Sequence, residues 1–447
     1  MKIALVNPSY ARSNRYLPLG LAYLASALLT DKHNVTVFDG NAMGLSIANE
    51  ELAKQVVKTK PDVVGVSICT NYALDAYNLI KLIKQRSKAE IWVGGPHASS
   101  CPKEALECGA DHVIIGEGEV AVRKLANGET DKQVVEESLV SDLNKLTPPA
   151  TELFRQEWYP WQGQHGHPFG QVVSSRGCSF GCKYCSKSVY GRKFRQASPE
   201  YVFNEVVSRI KTHQVESIGF ADDVFTTDRN WVYRMCELMK LLQYKNIGNR
   251  TIPKNYRNPT WTCITRLDLV DYDLLKAMKE SGCALVDYGV ESGSQKILDA
   301  MNKNLTVEQM EKGVEATRKA GINYYLNIIF GHPLETPETV RETRNLWKRL
   351  VQAPETYCGF LIPYPDTPLY REYEDDLNIR EWWLKHRGFP YHDKPYFPLS
   401  RETVKAINRF KLEMEIHKKI YKRKPRVLVR RILGKISKIF FQKILYT

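Results

Sequence analysis

Apolar and polar positions alternate in blocks along residues 1–130 of the chain. Short apolar runs are separated by stretches in which apolar residues recur with helical spacing, as in 19–29 and 72–85. Buried strands that alternate with helices indicate a parallel sheet covered on both faces. The pattern predicts a doubly wound α/β domain whose ligand lies at the carboxyl ends of the strands. The predicted strands are 3–6, 35–38, 63–68, 91–93 and 113–115.

Glycine and small polar residues follow these predicted strands. Because glycine has no side chain, it lets a bulky ligand approach the backbone closely. The alternative is that these residues form ordinary turns of an α/β fold. The candidate ligand-binding residues are Asn41 after the second strand, Ser67 near the end of the third, Gly94 and Gly95 after the fourth, and Gly116 and Glu117 after the fifth.

A polar stretch with little periodicity, 131–170, predicts a linker to a second domain. Beyond it, strands and helices alternate again, which indicates a partial (β/α)6 barrel of the TIM type over 171–370 with its chemistry at the C-terminal mouth. The basic segment 244–258 predicts a loop beside that mouth. Residues 371–447 predict a capping segment and a basic tail. The six predicted barrel strands are 171–175, 217–221, 260–264, 284–289, 324–330 and 357–362.

Composition and charge limit the classes of protein and the cellular compartments that fit this sequence. The 447 residues carry a net charge of +14, and much of the excess lies in 418–447, which holds eleven Lys or Arg and no acid. The rest is nearly balanced, so nucleic-acid binding is not expected. The ten cysteines are too sparse for a secreted disulfide scaffold. The chain begins without a signal-peptide pattern, and no run approaches the ~20 apolar residues of a membrane span. We therefore expect a cytoplasmic protein.

Three closely spaced cysteines, Cys178, Cys182 and Cys185, are the sharpest chemical feature. Thiolates are the usual ligands of iron–sulfur clusters, and a cubane normally has four protein ligands. Three cysteines leave one iron open to a substrate's amine and carboxylate. A structural zinc site is the alternative, and it would need a fourth ligand such as His165 or His167. The spacing favours a [4Fe–4S] cluster.

This C-x3-C-x2-C segment, with Tyr184 before its last cysteine, resembles the radical SAM superfamily. The resemblance implies that the open iron binds S-adenosylmethionine (SAM) and that reduction yields a 5′-deoxyadenosyl radical. Further motifs resemble the family at the ends of later strands, among them Gly-Val-Glu-Ser-Gly at 289–293 and segments 329–336 and 363–368. In the last of these, Asp366 replaces the usual glycine, and we assign it no chemistry.

The resemblance implies SAM contacts at the strand ends, each beside a structural alternative. The acidic pair Asp222 and Asp223 stands where many members have a Gly-Gly-Glu-like motif, and a solvated acidic turn is the alternative. Arg266 follows the third strand, and its guanidinium is a group that can pair the SAM carboxylate in bidentate fashion; a structural salt bridge is nearly as well supported. In the Gly-Val-Glu-Ser-Gly segment, the predicted SAM contacts are Glu291 and Ser292, and for Glu291 the alternative is a turn acid held by a structural partner.

The first 130 residues resemble the Rossmann-like cobalamin-binding domain that precedes the barrel in one branch of this superfamily. The resemblance is carried by segments 7–8, 17–25, 94–97 and 116–119. The combined architecture resembles the group of the anaerobic magnesium-protoporphyrin cyclase and the phosphonate methylase. Some cobalamin proteins supply a lower cobalt ligand through Asp-x-His-x-x-Gly. Here the segment is 39–44, with Asn41 in place of the histidine, so this loop offers no imidazole.

Together these features predict a cobalamin-dependent radical SAM methyltransferase acting on an unactivated carbon of a small-molecule or lipid-like substrate. A flavodoxin or ferredoxin is expected as electron donor. The alternatives are a radical cyclase or oxidoreductase without methyl transfer, and a non-enzymatic cobalamin-binding protein. The basic tail has the spacing of an amphipathic helix, which favours peripheral contact with a membrane. A solvated helix packed on the protein and RNA binding are the other interpretations of the tail.

Overall fold

A computed structural model gives the structure of the protein. It describes residues 1–10, 16–42, 48–155, 159, 169–213, 215–242, 246–247, 250–251, 259–351, 356–375, 381–385 and 395–422. The tail beyond 422, most of the predicted loop 244–258, part of the capping segment, and both His165 and His167 lie outside the described residues.

The N-terminal half is built on one parallel sheet of six strands, in the order β2-β1-β3-β4-β5-β6. The order reverses beside β1, which is the topological switch point of a doubly wound fold. Apolar side chains are buried on both faces, which confirms the predicted fold class for this half. The strands are β1 (Lys2–Asn7), β2 (Asn34–Asp39), β3 (Val63–Ser67), β4 (Glu90–Gly94), β5 (His112–Ile115) and β6 (Val134–Glu136).

Strand β6 lies within the stretch predicted to be a linker. It pairs in parallel with β5, and only its middle residue, Val135, is buried. One buried side chain in three residues is too short a pattern to stand out from a polar stretch. The connecting helices are α1 (Leu19–Thr30), α2 (Asn49–Lys58), α3 (Ala73–Lys84), α4 (Pro96–Ser100), α5 (Pro102–Glu107) and α6 (Glu119–Ala126).

The second half holds another parallel six-stranded sheet, in the order β16-β15-β14-β13-β10-β7. Its two end strands do not pair with each other, so the barrel is partial, as predicted. The strands are β7 (Phe169–Val172), β10 (Ser217–Phe220), β13 (Thr260–Thr265), β14 (Cys283–Glu291), β15 (Asn323–Phe330) and β16 (Thr356–Phe360). Two small antiparallel pairs accompany it: β8 (Ser175–Arg176) with β9 (Arg195–Gln196), and β11 (Asn246–Ile247) with β12 (Arg250–Thr251).

Helices cover the outer face of this sheet and bury its alternate side chains, such as Phe220, Trp261 and Tyr288. The last helix, α15, packs against α12. The helices are α7 (Pro199–His213), α8 (Arg229–Leu241), α9 (Tyr272–Glu280), α10 (Gln295–Ala300), α11 (Val307–Ala320), α12 (Pro337–Leu350), α13 (Pro368–Tyr373), α14 (Trp382–Lys385) and α15 (Arg401–Lys422).

The two halves share a hydrophobic core. Leu79 and Ile80 of the first half belong to the same buried cluster as Ile297, Met301 and the aromatic residues of the capping segment. This common core fixes the mouth of the barrel against the carboxyl ends of the first sheet. No helix among the described residues has both the length and the apolar character needed to cross a bilayer.

Candidate functional site

The three cysteines lie on the loop between β8 and β9, at the barrel mouth. Gly177 opens this loop with φ +81°, and a Cβ there would stand 2.4 Å from the backbone oxygen of Lys193. Only glycine fits so close an approach, and the loop is thereby closed at its base. Cys178 is buried, Cys182 and Cys185 are partly exposed, and all three are free thiols. A donor set of three thiols on one loop suits a [4Fe–4S] cluster with one open iron.

The cysteine loop is held from two sides of the barrel. The Asn302 side-chain amide donates to the Gly181 backbone oxygen at 2.8 Å, and the Lys183 N–H donates to the Met301 oxygen at 2.9 Å. On the other side, the Asp366 carboxylate accepts from the Ser186 hydroxyl at 2.8 Å and the Lys187 N–H at 3.0 Å. Asp366, to which the sequence suggested no chemistry, therefore orders the residues that follow Cys185.

Glu291 lies beside this loop at the end of β14. It is a non-glycine residue with φ +62°, and the pairing of β14 with β15 shifts register between Gly289 and Glu291. Its Oε1 accepts from Lys303 Nζ at 2.8 Å and from the Tyr184 hydroxyl at 3.1 Å. A Cβ on Gly289 would stand 2.3 Å from Glu291 Oε1, so glycine is required for this side chain to fold back. Backbone strain of this kind is typical of functional sites.

Lys303 is a candidate functional residue that the sequence did not reveal. Its Nζ is buried, pairs with Glu291, and lies 3.4 Å from the Tyr184 hydroxyl. A buried ammonium beside the cysteine loop offers a positive charge to a bound carboxylate. No sequence pattern indicated it, because a lysine three residues beyond a helix is ordinarily a solvated side chain.

The two residues of the predicted acidic pair have different surroundings in the structure. Asp222 is buried, and its Oδ1 accepts from the backbone N–H and hydroxyl groups of Ser174 and Ser175. Burial raises the pKa of Asp222 to about 6, against the lowering effect of these hydrogen bonds. Its Oδ2 has no partner among the described residues. Asp223 is half-exposed and lies 3.9 Å from Lys187 Nζ. Asp222 thus fixes the strand that leads into the cysteine loop, and its contact with SAM stays a prediction.

Arg266 and Ser292 make internal contacts. The guanidinium of Arg266 forms a fork with the Asp268 carboxylate at 2.9 Å, and it also donates to the backbone oxygens of Lys303 and Asn304. It thereby shapes the segment that carries Lys303. The Ser292 hydroxyl is buried and lies 3.0 Å from the Thr343 hydroxyl oxygen. These partners agree with the structural alternative for Arg266, and the predicted SAM contacts of both residues stay untested.

Five of the six candidate cobalamin residues line one cleft at the carboxyl ends of the first sheet. This cleft is open to solvent and spans about 730 Å³ of empty space, and Val189 and Tyr190 of the cysteine loop also line it. A Cβ placed on Gly94 would stand 3.7 Å from the Ile114 Cβ, in ordinary van der Waals contact. No histidine is among the described residues that line the cleft. The five residues are Ser67, Gly94, Gly95, Gly116 and Glu117.

Asn41, the sixth candidate, does not line this cleft. Its amide nitrogen donates to the Pro8 backbone oxygen at 2.7 Å, and its oxygen accepts from the Tyr10 N–H at 2.9 Å. The carboxamide therefore joins the loops that follow β1 and β2. This arrangement gives a physical reason for asparagine here, since a single carboxamide offers both a donor and an acceptor.

A buried ion-pair network connects the cleft to the cysteine loop. Glu117 pairs with Arg176 at 3.1 Å and with Arg195 at 2.9 Å, and Arg176 also pairs with Glu119 at 2.6 Å. The side chains of Glu117, Arg176 and Arg195 are each 2–3% exposed. Arg176 and Arg195 are the strand residues at the two ends of the cysteine loop. Glu117 thus lines the cleft while its carboxylate holds the base of the loop.

Comparison with known proteins agrees with this geometry. Residues 172–346 match the model of the radical SAM superfamily, and residues 11–126 match that of the B12 binding domain. A methyltransferase of Pyrococcus horikoshii of uncharacterized activity is 30% identical over 97% of this chain and 95% of its own length. The chain belongs to the radical SAM superfamily, in its cobalamin-binding branch. The resemblance inferred from the cysteine and strand-end motifs is confirmed.

Two further proteins are similar to this radical SAM protein. The anaerobic magnesium-protoporphyrin IX monomethyl ester cyclase of Cereibacter sphaeroides is 27% identical over 86% of this chain and 65% of the cyclase. The radical SAM methyltransferase TsrM from Kitasatospora setae, solved with cobalamin and a [4Fe–4S] cluster, superposes with a TM-score of 0.66. It is 19% identical and covers 85% of this chain and 75% of its own. This likeness shows a shared fold.

The cofactors of this radical SAM protein are a [4Fe–4S] cluster, SAM and cobalamin, as the two matched domains establish. The residues present fit them. Three free thiols at the barrel mouth suit the cluster, and a glycine-lined cleft suits a bulky planar ring. Because Val189 and Tyr190 belong to the cysteine loop and also line the cleft, the two candidate cofactor sites share these residues.

Proposed function

We propose that this protein is a cobalamin-dependent radical SAM methyltransferase that methylates an unactivated carbon. The observation that carries the proposal is the shared wall: the loop with Cys178, Cys182 and Cys185 also closes the glycine-lined cleft through Tyr190. A substrate held at this wall lies between both cofactors, which is the arrangement that transfer of a methyl group to a substrate radical requires.

When bound, the cluster supplies the electron that cleaves SAM to a 5′-deoxyadenosyl radical, and cobalamin supplies the methyl group. The chain's own residues bind and orient SAM and protect the cluster. Lys303 offers a buried positive charge to the SAM carboxylate, and Glu291, whose Oε2 makes none of its described hydrogen bonds, offers an acceptor to SAM hydroxyl or amino groups. Tyr184 shields the cluster from water, since its partly buried ring packs against the core and its hydroxyl is fixed on Glu291.

The substrate and partners are proposed at the level of chemical class. Radical SAM enzymes act on small molecules and take electrons from external donors, and we propose a flavodoxin or ferredoxin as that donor. The relatives include proteins named as a cytidylyl-2-hydroxyethylphosphonate methyltransferase of Streptomyces wedmorensis and a hopanoid C-3 methylase of Methylococcus capsulatus. Both a polar small molecule and a lipid-like compound therefore fit the branch. A lipid-like substrate would also suit the basic tail.

A second candidate is a radical cyclase or oxidoreductase that uses the same cofactors without methyl transfer. It is favoured by the likeness to the magnesium-protoporphyrin cyclase, which covers most of this chain. The two candidates differ in products. Methyl transfer converts one SAM to S-adenosylhomocysteine and cleaves a second to 5′-deoxyadenosine and methionine, whereas the alternative yields 5′-deoxyadenosine and methionine without S-adenosylhomocysteine.

The test is anaerobic reconstitution followed by incubation with methyl-deuterated SAM, a reductant, and polar or lipid extracts of the source cells. We expect deuterated product together with equal amounts of S-adenosylhomocysteine and 5′-deoxyadenosine. Deoxyadenosine and methionine without labelled product would favour the cyclase or oxidoreductase. No deoxyadenosine with any reductant would indicate a non-enzymatic cobalamin-binding protein. Cys182→Ser should lose iron and activity, while Cys108→Ser, a free thiol on the first domain, should keep both.

A further inference from the structure

The inner face of the partial barrel carries side chains that the proposed cofactor contacts do not use. Along β13, Trp261 and Cys263 are buried beneath the outer helices, whereas Ile264 is 43% exposed. Successive side chains of a strand point to opposite faces, so Ile264 points into the barrel. Tyr357, on the end strand β16, is 49% exposed. Large apolar side chains with this exposure on an inner face indicate an open cavity rather than a packed core.

Asp287 lies on the same inner face. In the register of the sheet it stands between Ile264 of β13 and Tyr325 of β15, and its neighbour Tyr288 is buried beneath the outer helices. Residues side by side on parallel strands share a face, so the carboxylate projects into the barrel. The ring of Tyr325 contacts that of Tyr357 edge-on, at 5.3 Å between centroids. Asp287 therefore has an aliphatic side chain on one side and an aromatic pair on the other.

The carboxylate of Asp287 has no cationic partner among the described residues. It accepts a hydrogen bond from the side-chain amide of Asn327, and the buried ammonium of this wall, Lys303, pairs with Glu291 at 2.8 Å. Burial raises the pKa of Asp287 to about 6, against the hydrogen bond from Asn327, so the group is charged at neutral pH. The wall thus holds two carboxylates and one ammonium. A partly buried charge of this kind is costly unless a ligand compensates it.

We propose that Asp287 determines substrate specificity by binding a protonated amine of the substrate, whose apolar body lies against Ile264 and Tyr357. The inference rests on the proposed methyltransferase function and adds a substrate class to it. An ammonium pairs with the carboxylate and is attracted to the face of a tyrosine ring. The carboxamide oxygen of Asn327, which has no partner among the described residues, accepts a second N–H of the same group.

Other ligands fit this wall less well. The amino group of SAM is taken by the open iron at the cysteine loop, whereas Asp287 lies four positions before Glu291 on β14. A calcium or magnesium ion needs about six oxygen ligands, and the neighbours of Asp287 in the sheet are aliphatic and aromatic. A neutral hydroxyl would leave the negative charge uncompensated.

A binding experiment that needs no turnover tests the proposal. Small molecules from the source cells are divided on a strong cation-exchange resin into a retained and an unretained fraction. The immobilised holoenzyme, loaded with SAM, is incubated with each fraction without reductant and then washed, and bound compounds are identified by mass spectrometry. We expect a compound with a basic nitrogen from the retained fraction, other than SAM and its breakdown products.

Asp287→Asn is the decisive variant, because it removes the charge and keeps both the shape and an oxygen that accepts from Asn327. It should bind the amine about 10–100-fold more weakly, since a hydrogen bond to a charged group is lost. Its iron content, its SAM binding and its urea unfolding midpoint should stay unchanged. The matched control is Asp131→Asn, at an exposed acid of the first half, which should bind the amine as the unchanged protein does.

Three results would overturn the proposal: bound compounds that are all neutral or acidic, no bound compound, and equal binding of the amine by Asp287→Asn and the unchanged protein. Adding reductant and methyl-deuterated SAM separates this proposal from the methyltransferase function. An amine that binds through Asp287 but gains no deuterium supports the amine site while methyl transfer fails. A deuterated product without a basic nitrogen supports methyl transfer and overturns the amine site.

Discussion

Replacement of Glu117 by Gln tests the link between the two cofactor sites. The carboxylate is 2% exposed and lies against two guanidinium groups, Arg195 at 2.9 Å from both oxygens and Arg176 at 3.1 Å. Removing one partner of a buried pair costs about 3–5 kcal/mol, because the remaining charge is left uncompensated in a poorly solvated site. Glu119 still pairs with Arg176 at 2.6 Å, so we expect the lower end, about 3 kcal/mol.

Urea unfolding of the apoprotein, followed by circular dichroism, measures this loss. Glu308→Gln is the matched control, because Glu308 pairs with Lys312 on the exposed surface of α11 and should change the unfolding midpoint little. The double variant Glu117→Gln with Arg195→Gln should cost less than the sum of the single variants, since both members of one pair are then removed. Equal midpoints for Glu117→Gln and Glu308→Gln would refute the reasoning.

The same substitution has a functional consequence that rests on the proposed methyl transfer. Loosening the base of the cysteine loop should leave iron and cobalamin bound but misplace the substrate between them. A misplacement of 1 Å can cost about 100-fold in rate. We therefore expect 5′-deoxyadenosine to form in excess over methylated product. If a stably folded Glu117→Gln variant keeps the unchanged protein's ratio of 5′-deoxyadenosine to methylated product, the ion-pair network does not help to couple radical formation to methyl transfer.

Three further predictions follow from single groups. Gly94→Leu should weaken cobalamin binding about tenfold or more, because the new side chain fills the cleft. Binding is measured from the absorbance of the bound cofactor. The control is Gly128→Asn, at a turn residue with φ +70°, which should leave cobalamin binding unchanged. Lys303→Met should weaken SAM binding about 10–100-fold in equilibrium dialysis with iron content unchanged, since a buried charged hydrogen bond is lost. Burial raises the pKa of Glu335 to about 7, against the hydrogen bond from the Gly331 N–H. The native state therefore takes up a proton before the unfolded chain does, and stability should rise by about 1 kcal/mol between about pH 8.5 and about pH 6.5. Glu335→Gln should remove this pH dependence, and an unchanged slope would contradict the assignment.

The sequence predicted both sheets because buried parallel strands are continuous apolar runs that stand out locally. Its main error in the barrel was at the first strand, which ends at Val172 rather than Ser175. The backbone N–H groups of Ser174 and Ser175 bond to Asp222, and Ser175 then pairs with β9. A side chain some fifty positions away thus interrupts the strand, and no local pattern shows it.

The site was predictable where chemistry is local and unpredictable where it depends on tertiary pairing. The three cysteines and the glycines at strand ends can be recognised from residue type and spacing alone. Lys303 and Asp366 do not, because their roles arise only when loops from distant parts of the chain meet the cysteine loop. Glu117 illustrates both cases: its position at a strand end indicated the cleft, whereas its pairing with Arg176 and Arg195 required the fold.

The choice of charged groups at this junction has a physical reason. Apolar packing of similar volume would often be as stable as a buried ion pair, or more so. Apolar surfaces, however, permit small sliding, whereas a guanidinium and a carboxylate meet in a fixed planar geometry. At a wall shared by two cofactors, the distance between them matters more than the total stability. A network in which Arg176 and Arg195 hold the two ends of the cysteine loop to Glu117 of the cleft therefore favours positional accuracy, at the cost of burying several charges.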